Sequence, residues 1–140
     1  MYELVYCSTG SEDLSSEDIA AILKKSRESN AQNNITGCLM YYNHEFIQIL
    51  EGEEKMVQEV FSKIENDSRH SNVTLLAKGE KEKKQFSHWS MAFYKLNIDE
   101  IKDMGKEVFI DNFITFSELA DKPTFPSLLF WNKACTLLRK

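Results

Sequence analysis

One polar residue inside an apolar run constrains this chain most. The segment Phe46-Ile47-Gln48-Ile49-Leu50 has the length and composition of a strand, yet a side-chain amide sits at its centre. Strand alternation puts Phe46, Gln48 and Leu50 on one face and Ile47 and Ile49 on the other. In the middle of a sheet such a strand buries Gln48, and a buried amide must find hydrogen-bond partners. Tyr6, in the Leu-, Val- and Tyr-rich stretch 3–7, is one such partner.

The rest of the chain supplies the sheet that this strand needs. Residues 3–7 read as a first strand and 8–13, polar with a glycine, as a loop. A helix is expected from Ser15 to Ser29 or Asn30, with Ser15 and Asp18 as a capping box and Leu14 and Ile19 as a hydrophobic staple. Strands follow at 35–42 and 45–50, joined by a tight turn at Asn43-His44, where Asn tolerates positive φ. A second helix is expected at 53–67, with Val57, Val60, Phe61 and Ile64 at helical spacing. Strands at 73–78 and 89–94 complete a βαββαββ order. That order predicts an α/β (α+β) fold of ferredoxin-like type, with an antiparallel or mixed sheet and both helices on one face.

The chain beyond residue 96 has a different character. Short helices are expected at 98–104, ended by Gly105, at 108–119, and at 127–139 after Pro123 and Pro126. Phe109, Phe113, Phe116, Phe125, Phe130 and Trp131 make this extension apolar, so it should cover the open face of the sheet or a partner subunit. The expected division is a domain at 1–95 and a helical extension at 96–140.

Composition narrows the function classes. At 140 residues the chain has the length of one domain, and 42 % hydrophobic with 28 % charged residues is a globular balance. The net charge of -5 opposes non-specific nucleic-acid binding, despite a short basic stretch at 78–84. No apolar run approaches the roughly 20 residues of a membrane span, and the first residues lack the pattern of a signal peptide. Three cysteines, Cys7, Cys38 and Cys135, are then expected to be reduced thiols in the cytoplasm. His44, His70 and His88 are not spaced as zinc ligands, so no metal is expected.

Helical and strand periodicities gather candidate site residues. Ile22, Ser26, Ser29 and Asn30 share one face of the first helix, and Val60, Lys63, Ile64 and Asp67 one face of the second. Each of these has an ordinary structural explanation. Asn30 alone reads as a helix C-cap, Tyr6 as a β-former, Trp89 and Met91 as core, and Lys63 and Arg69 as solvated charges. Spacing alone yields a small α/β domain with a polar cluster.

The motifs taken together say more. Leu4-Val5-Tyr6-Cys7-Ser8, Asn30-Ala31-Gln32-Asn33-Asn34-Ile35-Thr36-Gly37, Phe46-Ile47-Gln48-Ile49-Leu50-Glu51-Gly52, Asp67-Ser68-Arg69-His70-Ser71-Asn72-Val73 and Trp89-Ser90-Met91 stand in one order over residues 2–95. In that order the chain resembles the BLUF family, blue-light sensors that use FAD. The resemblance implies a flavin held between the two helices, with Tyr6 and Gln48 as the photoactive pair. It implies that Asn30 hydrogen-bonds the C4=O and N3–H edge of the ring, and that Ile22 and Phe46 pack near it. Lys63, Asp67, Arg69 and His70 match positions that hold the polar edge, the ribityl chain or the phosphates. Ser26, Ser29, Leu39, Leu50 and Met91 complete the implied cofactor contacts. Trp89 and Met91 match a relay from Gln48 to the extension.

The chain departs from the family where many members carry Arg in place of Lys63, and where some carry Asn or His in place of Ser29. The implied activity is light-driven proton-coupled electron transfer from Tyr6 and rearrangement of the Gln48 hydrogen bonds, by rotation or tautomerisation. No catalytic domain is expected. The output would pass to a separate signalling protein or through a homo-oligomer, without nucleic acid or membrane. FAD is the expected cofactor, with FMN and riboflavin sharing the same ring. The competing classes are a flavin-dependent redox enzyme, which needs an open flavin face, and a cofactor-free ferredoxin-like binding module.

Overall fold

The structure is a computed structural model that describes residues 1–42, 44–84, 92–95, 124, 126–130 and 132–133. Its elements are β1 (Tyr2–Gly10), α1 (Ser16–Gln32), β2 (Thr36–Tyr42), β3 (Glu45–Gly52), α2 (Glu54–Glu65), β4 (His70–Glu80) and β5 (Ala92–Lys95). The strands form one sheet in the order β4-β1-β3-β2-β5. Of the two arrangements expected, the sheet is mixed: β5 runs parallel to β2, and every other pair is antiparallel.

β1 and β3 are interior strands paired on both sides, which explains why nearly all their residues are buried. Tyr2, Leu4, Tyr6, Leu39, Tyr41, Phe46 and Leu50 pack with Ile19 of α1 and Val57 of α2 in one core cluster. Both helices therefore cover this face. Val5, Cys38, Met40, Ile47 and Ile49 point to the other face and are equally buried.

Several boundaries differ from expectation for identifiable reasons. The stretch 8–10, expected as loop, continues β1, because Ser8 and Thr9 pair with Phe46 and Glu45 on one side while Thr9 and Gly10 pair with Ser71 and His70 on the other. For the same reason β4 begins at His70 rather than at residue 73. The capping box forms as expected, Ser15 Oγ accepting from the Asp18 N–H at 3.1 Å and Asp18 Oδ2 from the Ser15 N–H at 3.0 Å. Yet α1 runs past Asn30 to a C-cap at Asn33, so Asn30 is an internal helical residue and not the cap. In the β2–β3 turn the left-handed backbone falls on His44 (φ 65°). β5 is described only over 92–95, so Trp89 and Met91 lie outside the described residues, as do the helices expected at 98–104 and 108–119.

The last described segment is helical at 126–130 and 132–133. Thr124 caps it: its hydroxyl accepts from the Ser127 N–H at 3.2 Å, Ser127 Oγ accepts from the Thr124 N–H at 2.9 Å, and the Thr124 carbonyl accepts from the Leu128 N–H at 2.9 Å. Pro126 falls in the first turn, where a missing N–H breaks no helical bond. Among the described residues no helix is long and apolar enough to cross a membrane.

Candidate functional site

The two helices do not close completely over the sheet. Between them lies a cavity of about 480 Å³, within the roughly 300–1,000 Å³ of small-molecule sites. α1 contributes Ile22, Lys25, Ser26, Ser29 and Asn30, and α2 contributes Val60, Lys63 and Ile64. Tyr6, Leu39 and Gln48 form the floor, and the stretch 66–70 closes one side.

The floor follows from register. Tyr6 is the Cα partner of Gln48 across β1–β3, and Leu39 is the partner of Gln48 across β2–β3. Cross-strand partners project to the same face, so the three side chains meet. The Tyr6 hydroxyl donates to Gln48 Oε1. Both groups are sealed from solvent, Gln48 being 3 % and Tyr6 1 % exposed. On its other side the Tyr6 ring packs at 5.4 Å, tilted, against Phe61 of α2. Burial, and next the negative charge of Asp67, push the Tyr6 phenol pKa well above its ordinary value. The phenol is therefore held protonated.

The α1 wall presents Asn30, 2 % exposed, on the same side as the aliphatic Ile22. Across the cavity Arg69 forks onto Asp67, Nε at 3.0 Å and 3.1 Å from the two carboxylate oxygens and Nη2 at 2.6 Å from Oδ2. These bonds hold the Asp67 carboxyl down at about 2, so it is ionised throughout the neutral range. His70 is fixed between Ser8, whose Oγ lies 2.9 Å from Nδ1, and the Phe46 ring, 4.8 Å centroid to centroid. Its burial lowers the imidazole pKa, favouring the neutral ring.

Of the residues expected at the site, Tyr6, Ile22, Ser26, Ser29, Asn30, Leu39, Gln48, Lys63, Asp67, Arg69 and His70 line this cavity. Phe46 and Leu50 are not among the lining residues. Both are buried in the core beneath, where Phe46 supports His70. Met91 and Trp89 lie outside the described residues. Val60 and Ile64, gathered with Lys63 on one face of the second helix, also line the cavity, and Lys25, Asn66 and Ser68 do so without having been expected as site residues. Val60 and Ile64 share the helical face of Lys63, and Lys25 stands one turn from Ile22, so helical periodicity carried that signal.

A planar apolar group with a hydrogen-bonding rim suits this lining. Ile22, Leu39, Val60 and Ile64 offer aliphatic walls, the Asn30 and Gln48 amides offer paired donors and acceptors, and Lys25, Lys63 and Arg69 offer cations for an anionic tail. Among the described residues no cluster of His, Cys, Asp or Glu could hold a metal ion.

Comparison with known proteins gives the same picture. The family model described as sensors of blue-light using FAD, BLUF, matches residues 1–92. The photoactivated adenylate cyclase subunit beta of Euglena gracilis is 38 % identical over 71 residues, 51 % of this chain and 8 % of that protein. The chain thus spans under a tenth of that cyclase subunit's length. Among solved structures, a bacterial light-regulated adenylyl cyclase superposes with a TM-score of 0.71 at 36 % identity, over 84 % of this chain and 34 % of the other. The ground state of BlsA does so with a TM-score of 0.65 at 33 % identity, over 74 % of this chain and 72 % of the other.

Proposed function

Because the chain belongs to the BLUF family of blue-light sensors that use FAD, we propose that Tyr6 and Gln48 are its photoactive pair and that Asn30 reads the rim of the flavin ring. The observation that carries this reading is the buried hydrogen bond from the Tyr6 hydroxyl to Gln48 Oε1, in the floor of a cavity with aliphatic walls. Flavin binding is common to the family; the residue roles are inferred from this geometry.

When bound, the flavin supplies absorption of blue light and an excited ring that accepts an electron. The chain's own residues do the rest. Tyr6 holds its proton at Oη in the dark, since burial disfavours the phenolate. An oxidised phenol is a far stronger acid, so that proton moves along the existing hydrogen bond toward Gln48 Oε1. Gln48 suits this position because an amide has a donor end and an acceptor end of nearly equal shape. Reversing it changes the hydrogen-bond pattern with little displacement of the backbone. Each such bond carries about 1 kcal/mol net, enough to bias an element with two nearly balanced packings. Leu39, Ile22 and Val60 keep water from the pair.

The reading extends to the whole chain. Residues 1–95 act as the sensor and 96–140 as the output extension, which signals to a separate protein or through association of copies in the cytoplasm. The contact of Thr124 with β1, through Glu3, supports an extension that rests on the sheet. A light-minus-dark absorption spectrum of the FAD-loaded chain tests the proposal. A reversible red shift is expected in the wild type and none in Tyr6→Phe; an unshifted wild type, or a shifted variant, overturns it.

A further inference from the structure

The face of the sheet away from the cavity carries a buried polar cluster. Glu3 and Glu51 are direct cross-strand partners on β1 and β3. Two carboxylates so placed repel each other, and both are buried, at 1 % and 0 % exposure. Lys81, just beyond β4, lies between them with its side chain 3 % exposed. Its Nζ is 3.2 Å from Glu3 Oε1 and also pairs with Glu51 Oε2. One ammonium thus serves two carboxylates, and hydroxyls add donors: Thr36 Oγ1 to Glu51 Oε1 at 3.1 Å, and Thr124 Oγ1 to Glu3 Oε1 at 2.9 Å.

Among the described residues Thr124 is the member of this cluster that comes from the C-terminal extension. The same hydroxyl that donates to Glu3 accepts from the Ser127 N–H as the helix cap. Farther along, Lys133 lines a second, smaller cavity with Cys7, Thr9, Glu45 and Ile47. From Thr124 to Lys133 a helix advances about 13 Å, and from Glu3 to Cys7 a strand advances about 13 Å. The segment therefore lies along β1, pinned at one end by the Glu3 cluster, and Phe130 within it is completely buried.

We propose that Glu3, Glu51 and Lys81 form an electrostatic latch that clamps the C-terminal helix onto the sheet through Thr124. The helix comes off as a unit when that hydroxyl no longer satisfies Glu3. The two strands that carry the acidic pair carry Tyr6 and Gln48 three positions away, facing the cavity. The latch is therefore where a change in the β1–β3 ladder reaches the extension. This last link rests on the photoactive pair proposed above; the latch itself does not.

Amide hydrogen exchange of the full FAD-loaded chain tests both parts. Thr124→Asp keeps a good helix cap but removes the donor and sets a third carboxylate against Glu3. In darkness it should lose about tenfold or more of the protection at 128–130, while β1, β3 and flavin binding are unchanged. Thr124→Ser, which keeps the hydroxyl, should retain that protection. Glu3→Ala, which leaves Lys81 and Glu51 as a balanced pair, should reproduce the loss and serves if the first variant fails to fold. Unchanged protection at 128–130 in Thr124→Asp or Glu3→Ala overturns the latch. In the wild type, illumination should loosen the same amides. Loosening in the variants with none on illumination overturns its part in signalling, and absence of any red shift defeats the photoactive pair while leaving the dark comparison intact.

Discussion

Tyr6 and Gln48 are register partners in the central β1–β3 ladder, and the phenol of one donates to the amide oxygen of the other. Their proximity is thus a property of the backbone pairing, requiring no loop to bring them together. A substitution at either position can therefore change the chemistry of the pair while the ladder stays in place.

Gln48→Leu makes the strongest case. Leucine fills much of the same space but can neither accept from Tyr6 nor reverse its polarity. The variant should bind flavin and show no red shift on illumination. It should also lose about 1–3 kcal/mol of stability, since the buried Tyr6 hydroxyl loses its acceptor. Difference spectra and urea denaturation check the two outcomes.

Asn30→Ala tests the rim. Removing an amide that makes one or two buried hydrogen bonds with a ligand should weaken binding by about 1–3 kcal/mol, or roughly fivefold to 150-fold. Ser29→Ala, on the same wall but less buried, should cost less. Fluorescence titration with FAD measures both.

His70 sets an acid limit on stability. Its folded pKa lies below the ordinary 6.5, chiefly through burial. The unfolded chain therefore takes up a proton first as pH falls. The stability contributed by the neutral ring is fully present above about 6.5 and declines as the pH drops below that value. Chemical denaturation at stepped pH should show this decline in the wild type and its reduction in His70→Gln. Asp67, held at about 2 by Arg69, adds a second decline as the pH falls from about 4 toward 2. Its ion pair is partly exposed, so the effect should stay within about 1 kcal/mol.

Gly37 and Gly79 should respond oppositely to the same change. A Cβ at Gly37 would collide with the Ile49 carbonyl oxygen across the β2–β3 ladder, whereas one at Gly79 meets nothing within 4 Å. Gly37→Ala should cost about 2–4 kcal/mol because backbone must move, and Gly79→Ala should fall within about 0.5 kcal/mol of the wild type. Urea midpoints of the two variants decide it.

The sequence is most legible where a residue's neighbours along the chain determine its place. The alternation around Gln48, the Ser15–Asp18 box and the shared face of Ile22, Ser26, Ser29 and Asn30 are of this kind. Where pairing on both sides decides, local signals mislead. Ser8 and Gly10, either side of Thr9, are weak strand formers held in β1 by β3 and β4, and Asn30 has the side chain of a C-cap but lies inside α1. Glu3 and Glu51 are the extreme case. Acidic residues at strand ends read as solvent-facing, and only convergence with Lys81, 30 positions from Glu51 in sequence, puts them inside.

The strand order has a consequence for where this molecule can yield. The tyrosine and glutamine occupy interior strands, each hydrogen-bonded on both flanks, whereas among the described strands β4 and β5 are paired on one flank each. Detaching a marginal strand severs one ladder, whereas displacing β1 and β3 severs three of the four described ladders. The detector therefore rests on the stiffest part of the scaffold, leaving the periphery as the inexpensive place to move.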